Sequence, residues 1–312
     1  MNPSRPTHSA ESFFLEEPLP PIPASGGKSN FFYSFSLLPK DERIALQSVY
    51  EFCRYTDDLV DEDLPLDIPG IDQKVDITIE KKKVRLDWWR TEVEKCYAGT
   101  SKHPILKNLY KVILRFKIPK QYFLTLIDGV EMDLIKNRYN TFAELNEYCY
   151  AVASIVGLIT IEIFGYKFES TKEYAIDLGT ALQLTNILRD IKKDAAMGRI
   201  YIPREDLDRF GVSEQDILDG KYNLPFITLM KFEVARARDY YQSARARLGK
   251  GERFTLFAAQ IMDAIYFRLL RKIELAEYDV FAKRITVSTP HKLLIAFRFW
   301  FSSLIFRERR GS

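Results

Sequence analysis

From Pro39 onward apolar residues recur every three or four positions, and the strict alternation of β-strands is absent, so the pattern predicts an all-α fold. A first helix follows Pro39 and runs through Ile44, Leu46, Val49, Phe52 and Cys53 toward Asp61. Pro65, Pro69 and Gly70 then make 64–70 a loop, because proline lacks the amide that a helix needs. Helical periodicity resumes near Ile79, takes in Trp88 and Trp89, and returns at about 103–115, 120–136 and 141–165. Two starts carry the capping-box pattern, Thr141 with Glu144 and Ser170 with Glu173. The helix after Thr171 continues to about Lys193, Gly198 and Pro203 break it, and long helices follow at about 223–248 and 252–278. No repeat or domain-scale linker follows Gly27, which predicts one helical domain over 28–290.

Composition narrows the class. Of 312 residues 46% are hydrophobic, enough for a sizeable core and too many for global disorder. The net charge of +3 lacks the basic excess of a nucleic-acid binder, so no nucleic-acid partner is expected. Cys53, Cys96 and Cys149 form no CxxC pair, which argues against zinc or a disulfide framework and suits the cytoplasm. Residues 1–27 are proline-rich, lack the apolar run of a signal peptide, and read as a disordered leader. In the 291–312 tail, Leu293 to Phe306 is apolar but holds Arg298 and falls short of the roughly twenty residues of a membrane span. The tail fits either a helix docked on the protein or an interfacial helix, the latter implying peripheral contact with the inner face of a membrane. Oligomeric state stays open.

Two polar stripes interrupt the apolar pattern. On a helix, Asp57 and Asp61 lie one turn apart with Arg54 on the same face. Such a cluster also suits a solvated helix end, although Phe52 and Val60 make this helix apolar. Gln183, Asn186, Asp190 and Asp194 form a longer stripe of oxygen donors on a helix otherwise packed with Leu184, Ile187, Leu188 and Ile191. Two carboxylate stripes facing each other suit Mg²⁺ (or Mn²⁺ in its place), a hard cation that substrate phosphates complete. Arg54, Arg189 and Arg199 would take the remaining phosphate charge. Phe31, Phe35, Tyr50, Tyr148 and Tyr266 are core candidates that would also line an apolar tunnel, with ring faces able to stabilise a carbocation.

These residues resemble the squalene/phytoene synthases. The matching segments are Tyr55 to Asp61, Tyr148 to Gly157, Asn186 to Asp194 and Gly198 to Pro203, in the family's order and spacing, and the resemblance covers about 28–288. It implies an all-helical isoprenoid-synthase fold around a central cavity and the head-to-head joining of two prenyl diphosphates. It further implies metal bridging at Asp57, Asp61, Asn186, Asp190 and Asp194. Diphosphate contacts would come from Arg54, Gln183, Arg189, Arg199 and Arg284 or its neighbour Lys283. Tyr148 would lie near the reacting carbons, with Phe31, Phe35, Tyr50 and Tyr266 in the prenyl pocket. The Gly129 to Leu134 stretch and the 180–212 region look most like bacterial presqualene diphosphate synthases acting on farnesyl diphosphate. Phytoene synthesis from geranylgeranyl diphosphate, or full squalene or dehydrosqualene synthesis, is the alternative, and NADPH would be needed only for squalene. The Asn-Ile-Leu-Arg-Asp context of the second stripe fits a head-to-tail elongase or a cyclase less well. A non-catalytic assembly factor would tend to lose the carboxylates kept here.

Overall fold

The computed structural model describes residues 38–61 and 79–308, except for the side chains of Asp61 and 302–308. The leader, Phe31, Phe35 and the 64–70 loop lie outside the described residues. Among the described residues twelve α-helices follow one another: α1 (Lys40–Asp61), α2 (Ile79–Tyr97), α3 (Pro104–Phe116), α4 (Lys120–Ile135), α5 (Phe142–Cys149) and α6 (Ile155–Phe164). Then come α7 (Ser170–Ala196), α8 (Arg204–Phe210), α9 (Glu214–Leu218), α10 (Leu224–Arg247), α11 (Phe257–Leu275) and α12 (Thr289–Glu308). Among the described residues there is no strand, only an isolated bridge between Arg138 and Ile200. The chain is therefore all-α.

The central element is α7, which packs against α6, α10 and α11. Its two apolar sides explain why: Ala181, Leu184, Leu188 and Ile191 are all buried, and a helix with so wide an apolar surface needs neighbours on several sides. Thr185 Oγ1 lies 3.0 Å from the Tyr241 hydroxyl, fastening α7 to α10. On its other side α1 meets α2 and α4 through Phe52, whose ring stacks on Trp89 at 5.4 Å and meets Phe123 edge-on at 5.0 Å. Trp89 Nε1 donates to Thr56 Oγ1 at 2.9 Å, so the indole buried in this joint is satisfied.

Two local expectations change. The 141–165 helix is not uniform: one π-helical turn, Tyr150–Ser154, separates α5 from α6. The turn packs into gaps left by glycine. A Cβ on Gly179 would sit 2.5 Å from Ser154 Cα, and one on Gly129 would sit 2.7 Å from Ala151 Cβ. Gly157 similarly lets α6 approach α7, since a Cβ there would lie 2.8 Å from the Ala175 carbonyl oxygen.

The Ser170–Glu173 capping box does not form. Ser170 Oγ donates to the Arg247 carbonyl, and Glu173 pairs with Arg247 Nε at 2.8 Å. The buried carboxylate of Glu252 accepts from the Lys167 and Phe168 amides just before the helix and from Thr171 Oγ1, so a distant acid anchors the entry to α7, while the Thr171 and Lys172 amides bond to the Phe168 and Glu169 carbonyls. At Thr141 half of the box is present: its hydroxyl accepts from the Glu144 amide at 3.3 Å, while Glu144 accepts from the Asn140 amide at 3.1 Å.

Candidate active site

A cavity of about 480 Å³ runs between α1, α6, α7 and α11. From α1 come Val49, Tyr50, Cys53, Arg54 and Asp57; from the π turn and α6 come Val152, Ala153, Val156 and Gly157. From α7 come Tyr174, Leu178, Leu182, Gln183 and Asn186; α11 adds Ala258, Ala259, Met262 and Tyr266. One end is polar and open: Asp57 is exposed, and the Arg54 side chain keeps 45% of its exposure while pairing with Asp58 at 3.6 Å. The other end is closed by Phe164 and Tyr174, which are buried. From Asn186 back to Tyr174 is twelve residues of helix, about 18 Å of largely apolar wall at 1.5 Å per residue.

The α7 stripe leaves this cavity at Asn186 and continues outward. Asn186 Nδ2 donates to Gln183 Oε1 at 3.5 Å, and its Oδ1 is buried with no hydrogen-bond partner. One turn on, Asp190 accepts from Arg189 Nε at 2.9 Å and from Arg284 Nε at 3.1 Å. Burial alone would raise the Asp190 pKa, but Arg189 and then Arg284 outweigh it and hold the carboxyl below the usual range. One further turn on, Asp194 lies close to that charge and has no such clamp. Burial, then the Asp190 charge, pushes it up to about 6, with Lys193 and Arg199 opposing. Lys192 Nζ reaches the Phe281 carbonyl at 2.6 Å and holds the segment carrying Arg284 against α7.

These residues fit a divalent cation in two respects. The orphaned Asn186 Oδ1 is an acceptor that costs about 1–3 kcal/mol to bury unmatched, a cost that a cation would relieve. Asp194 is a half-buried carboxylate on which Lys193 and Arg199 do not offset burial and the Asp190 charge, and a cation would reverse its raised pKa. Among the described residues no three His, Cys, Asp or Glu side chains make a closed ligand cluster. A Mg²⁺ site of one or two carboxylates, water and substrate phosphate needs no such cage.

Tyr148 does not line the cavity. Its hydroxyl donates to Asp133 Oδ2 at 2.9 Å, and Tyr201 donates to Asp133 Oδ1 at 2.8 Å, with the two rings stacked at 5.3 Å. The segment after Gly198 is the cause: Ile200 N bonds to the Asn137 carbonyl at 3.1 Å and lays Tyr201 beside Asp133. Burial first, and the Asp133 charge second, raises the Tyr148 pKa well above that of an ordinary phenol. It is a firmly protonated donor, not a base. Arg199 Nη2 reaches the Asp133 carbonyl at 3.5 Å, away from the cavity lining.

The structure thus brings Tyr50, Arg54, Asp57, Gln183, Asn186 and Tyr266 to one cavity, and groups Arg189, Asp190 and Arg284 on the next part of the stripe. The Asp61 side chain lies outside the described residues. Asp133, inside the Gly129 to Leu134 stretch, and Tyr174 belong to the surroundings of the site without having been among the sequence candidates. Nothing local marks Asp133, because its two partners arrive from 15 and 68 positions away.

The family profile described as squalene/phytoene synthase matches residues 24–291. A phytoene synthase of Arthrospira platensis is 38% identical over 280 residues, covering 85% of this chain and 85% of its own length. A 15-cis-phytoene synthase of Synechocystis is 37% identical, covering 85% of this chain and 78% of its own. Among solved structures, a dehydrosqualene synthase in complex with ligand superposes with TM-score 0.74 at 26% identity, covering 88% of this chain and 92% of that one. A squalene synthase of Alicyclobacillus acidocaldarius gives TM-score 0.70 at 28% identity, covering 80% and 89%. With an all-helical fold, an apolar cavity ending in acidic and amide donors, and a match over most of its length, the chain belongs to the squalene/phytoene synthase family of head-to-head prenyltransferases.

Proposed function

We propose that the protein condenses two geranylgeranyl diphosphates head to head to phytoene. The observation that carries this reading is that the curated relatives at 37–38% identity over 85% of the chain are phytoene synthases. The squalene and dehydrosqualene synthase structures share less, at 28% and 26% identity. The presqualene branch, which the motifs alone favoured, therefore gives way to its alternative. Small residues along the cavity, Ala153, Ala258 and Ala259, support it by leaving room beside a long prenyl chain.

Asp57, Asp61, Asn186, Asp190 and Asp194 would hold Mg²⁺ or Mn²⁺, the place of Asp61 resting on the sequence motif. A bound Mg²⁺ would supply the positive charge that lets diphosphate depart. Arg54, Gln183, Arg189, Arg199 and Arg284 would bind the phosphate oxygens, for which guanidinium forks are suited. The apolar walls exclude the water that would quench an allylic cation, and Tyr50 and Tyr266 present aromatic rings at the lining. The double bond of the second substrate would attack this cation, and a proton would pass to the released diphosphate as the cyclopropane closes. Loss of the second diphosphate opens the ring, and loss of a further proton gives the central double bond of phytoene without a reductant. Tyr148 and Tyr201, protonated and bonded to Asp133, position the backing of the site and take no proton.

The test is product identification by mass spectrometry after incubation with geranylgeranyl or farnesyl diphosphate and Mg²⁺, with and without NADPH. Phytoene from geranylgeranyl diphosphate, indifferent to NADPH, is the expected result. Presqualene diphosphate or squalene from farnesyl diphosphate, with geranylgeranyl diphosphate left intact, would overturn the substrate assignment.

A further inference from the structure

The segment between α11 and α12 carries Arg284 without regular secondary structure. Val280, Phe281, Ile285 and Val287 are buried, while Ala282, Lys283 and Arg284 are exposed, so 281–286 forms an arch on apolar feet. The chain enters it through Glu277 and Tyr278, two consecutive non-glycine residues at φ 52° and 68°. Left-handed backbone of this kind persists where its surroundings over-determine it. Here Tyr222 donates to the Glu277 carbonyl at 2.9 Å, and Asp279 Oδ1 accepts from the Phe281 and Ala282 amides at 3.1 and 2.9 Å. The Phe281 ring packs on Phe226 at 4.8 Å.

Two lysines hold the arch by its carbonyls. Lys192 Nζ of α7 donates to the Phe281 carbonyl at 2.6 Å, and Lys272 Nζ of α11 donates to the Thr286 carbonyl at 2.7 Å. Lys192 stands between Asp190 and Asp194 in the sequence, yet this bond goes to a neutral carbonyl 89 positions away. It follows Asp190 by two residues, about 200° round the helix. The arch therefore straddles α7, tied down by Lys192 on one side and reaching Asp190 through Arg284 on the other.

The Arg284 side chain keeps 63% of its exposure, and an exposed ion pair does little to hold two side chains in one geometry. The backbone beneath it has to set its place. We propose that Lys192 is a positioning residue for diphosphate binding: its charge-assisted bond to Phe281 fixes the arch, and the arch presents the Arg284 guanidinium beside the α7 stripe. A donor held ready loses less freedom when the anion arrives. Lys192 does not line the cavity and acts through Arg284. The inference rests on the prenyl diphosphate reading for the identity of the anion, and on no particular chain length.

Inorganic diphosphate with Mg²⁺ is titrated calorimetrically into the full chain, beside steady-state kinetics with the prenyl substrate. Lys192→Met keeps the aliphatic stem and removes the donor. It should retain the circular dichroism melt, bind diphosphate about three- to tenfold more weakly, and raise KM more than it lowers kcat. Lys192→Arg should recover most of the affinity. In an Arg284→Gln background, Lys192→Met should add less than about twofold, because the tether then has nothing to position. Losses that multiply would mean that Lys192 meets the anion itself, and would overturn the inference. A Lys192→Met chain that binds as wild type does would overturn it too, as would one that fails to fold, which would make the residue structural. Wild type without affinity for diphosphate would sink the reading of the site as well, whereas wild-type binding beside any of those results sinks the tether alone.

Discussion

Asn186→Ala should make the metal-free protein more stable while disabling it. The wild-type Oδ1 is buried without a partner, an arrangement that costs about 1–3 kcal/mol. Alanine also exceeds asparagine in helix propensity by about 0.6 kcal/mol in the interior of a helix such as α7. Against these stand the long 3.5 Å bond from Nδ2 to Gln183, about 0.5 kcal/mol, and lost packing of the amide. The net is a gain of about 1–2 kcal/mol, or about 2–4 °C in Tm for a chain of this size. In Mg²⁺ and inorganic diphosphate the order should invert, because ligands that bind only the folded state stabilise the wild type by mass action. Thermal melts followed by circular dichroism in chelator and in Mg²⁺ with diphosphate decide it. If Asn186→Ala melts several degrees below wild type in chelator, Oδ1 is structural and the reasoning fails. Full activity in the variant would refute it equally.

Three further outcomes follow from other contacts. Asp133→Asn replaces a charged acceptor of two tyrosine hydroxyls by a neutral one, costing about 1–2 kcal/mol; kcat should fall more than KM changes, and wild-type kinetics would deny Tyr148 a positioned role. Gly179→Ala sets a Cβ 2.5 Å from the backbone of the π turn, an overpacking cost of about 1–3 kcal/mol; an unchanged Tm would show that the turn yields freely. Glu233, near Asp206 and bonded to Arg236 at 2.8 Å, is raised from 4.5 to about 8, by burial first and by the Asp206 charge, with Arg236 opposing. Its folded pKa exceeds its unfolded one, so its contribution is full below pH 4.5 and is lost as pH rises toward about 8. Glu233→Gln should therefore flatten stability across that window and melt above wild type near its upper end, and parallel Tm–pH curves would contradict this.

What could be read along the chain is what depends on neighbours within a turn or two. The periodicity of Ile44 to Cys53 located α1, and the i+4 spacing of Asn186, Asp190 and Asp194 set a donor stripe on one face of α7. Helical geometry guarantees both whatever the remainder of the chain does. The short helices α8 and α9 escaped notice, because five to seven residues are too few for a period to show.

Tertiary structure decided the rest. It set Glu252, about eighty residues away, to anchor the entry to α7 through the Lys167 and Phe168 amides and the Thr171 hydroxyl, and it drew Glu173 to Arg247 instead of into a capping box. It inserted the π turn where Gly129 and Gly179 leave space, and it turned Tyr148 toward Asp133. It also left Asn186 Oδ1 unmatched and Asp190 clamped by Arg284, a residue 94 positions away. A sequence read alone fixes which side chains share a helix face, because that follows from backbone geometry. Which groups meet across helices, and which are left without a partner, depends on packing that only the folded chain brings about.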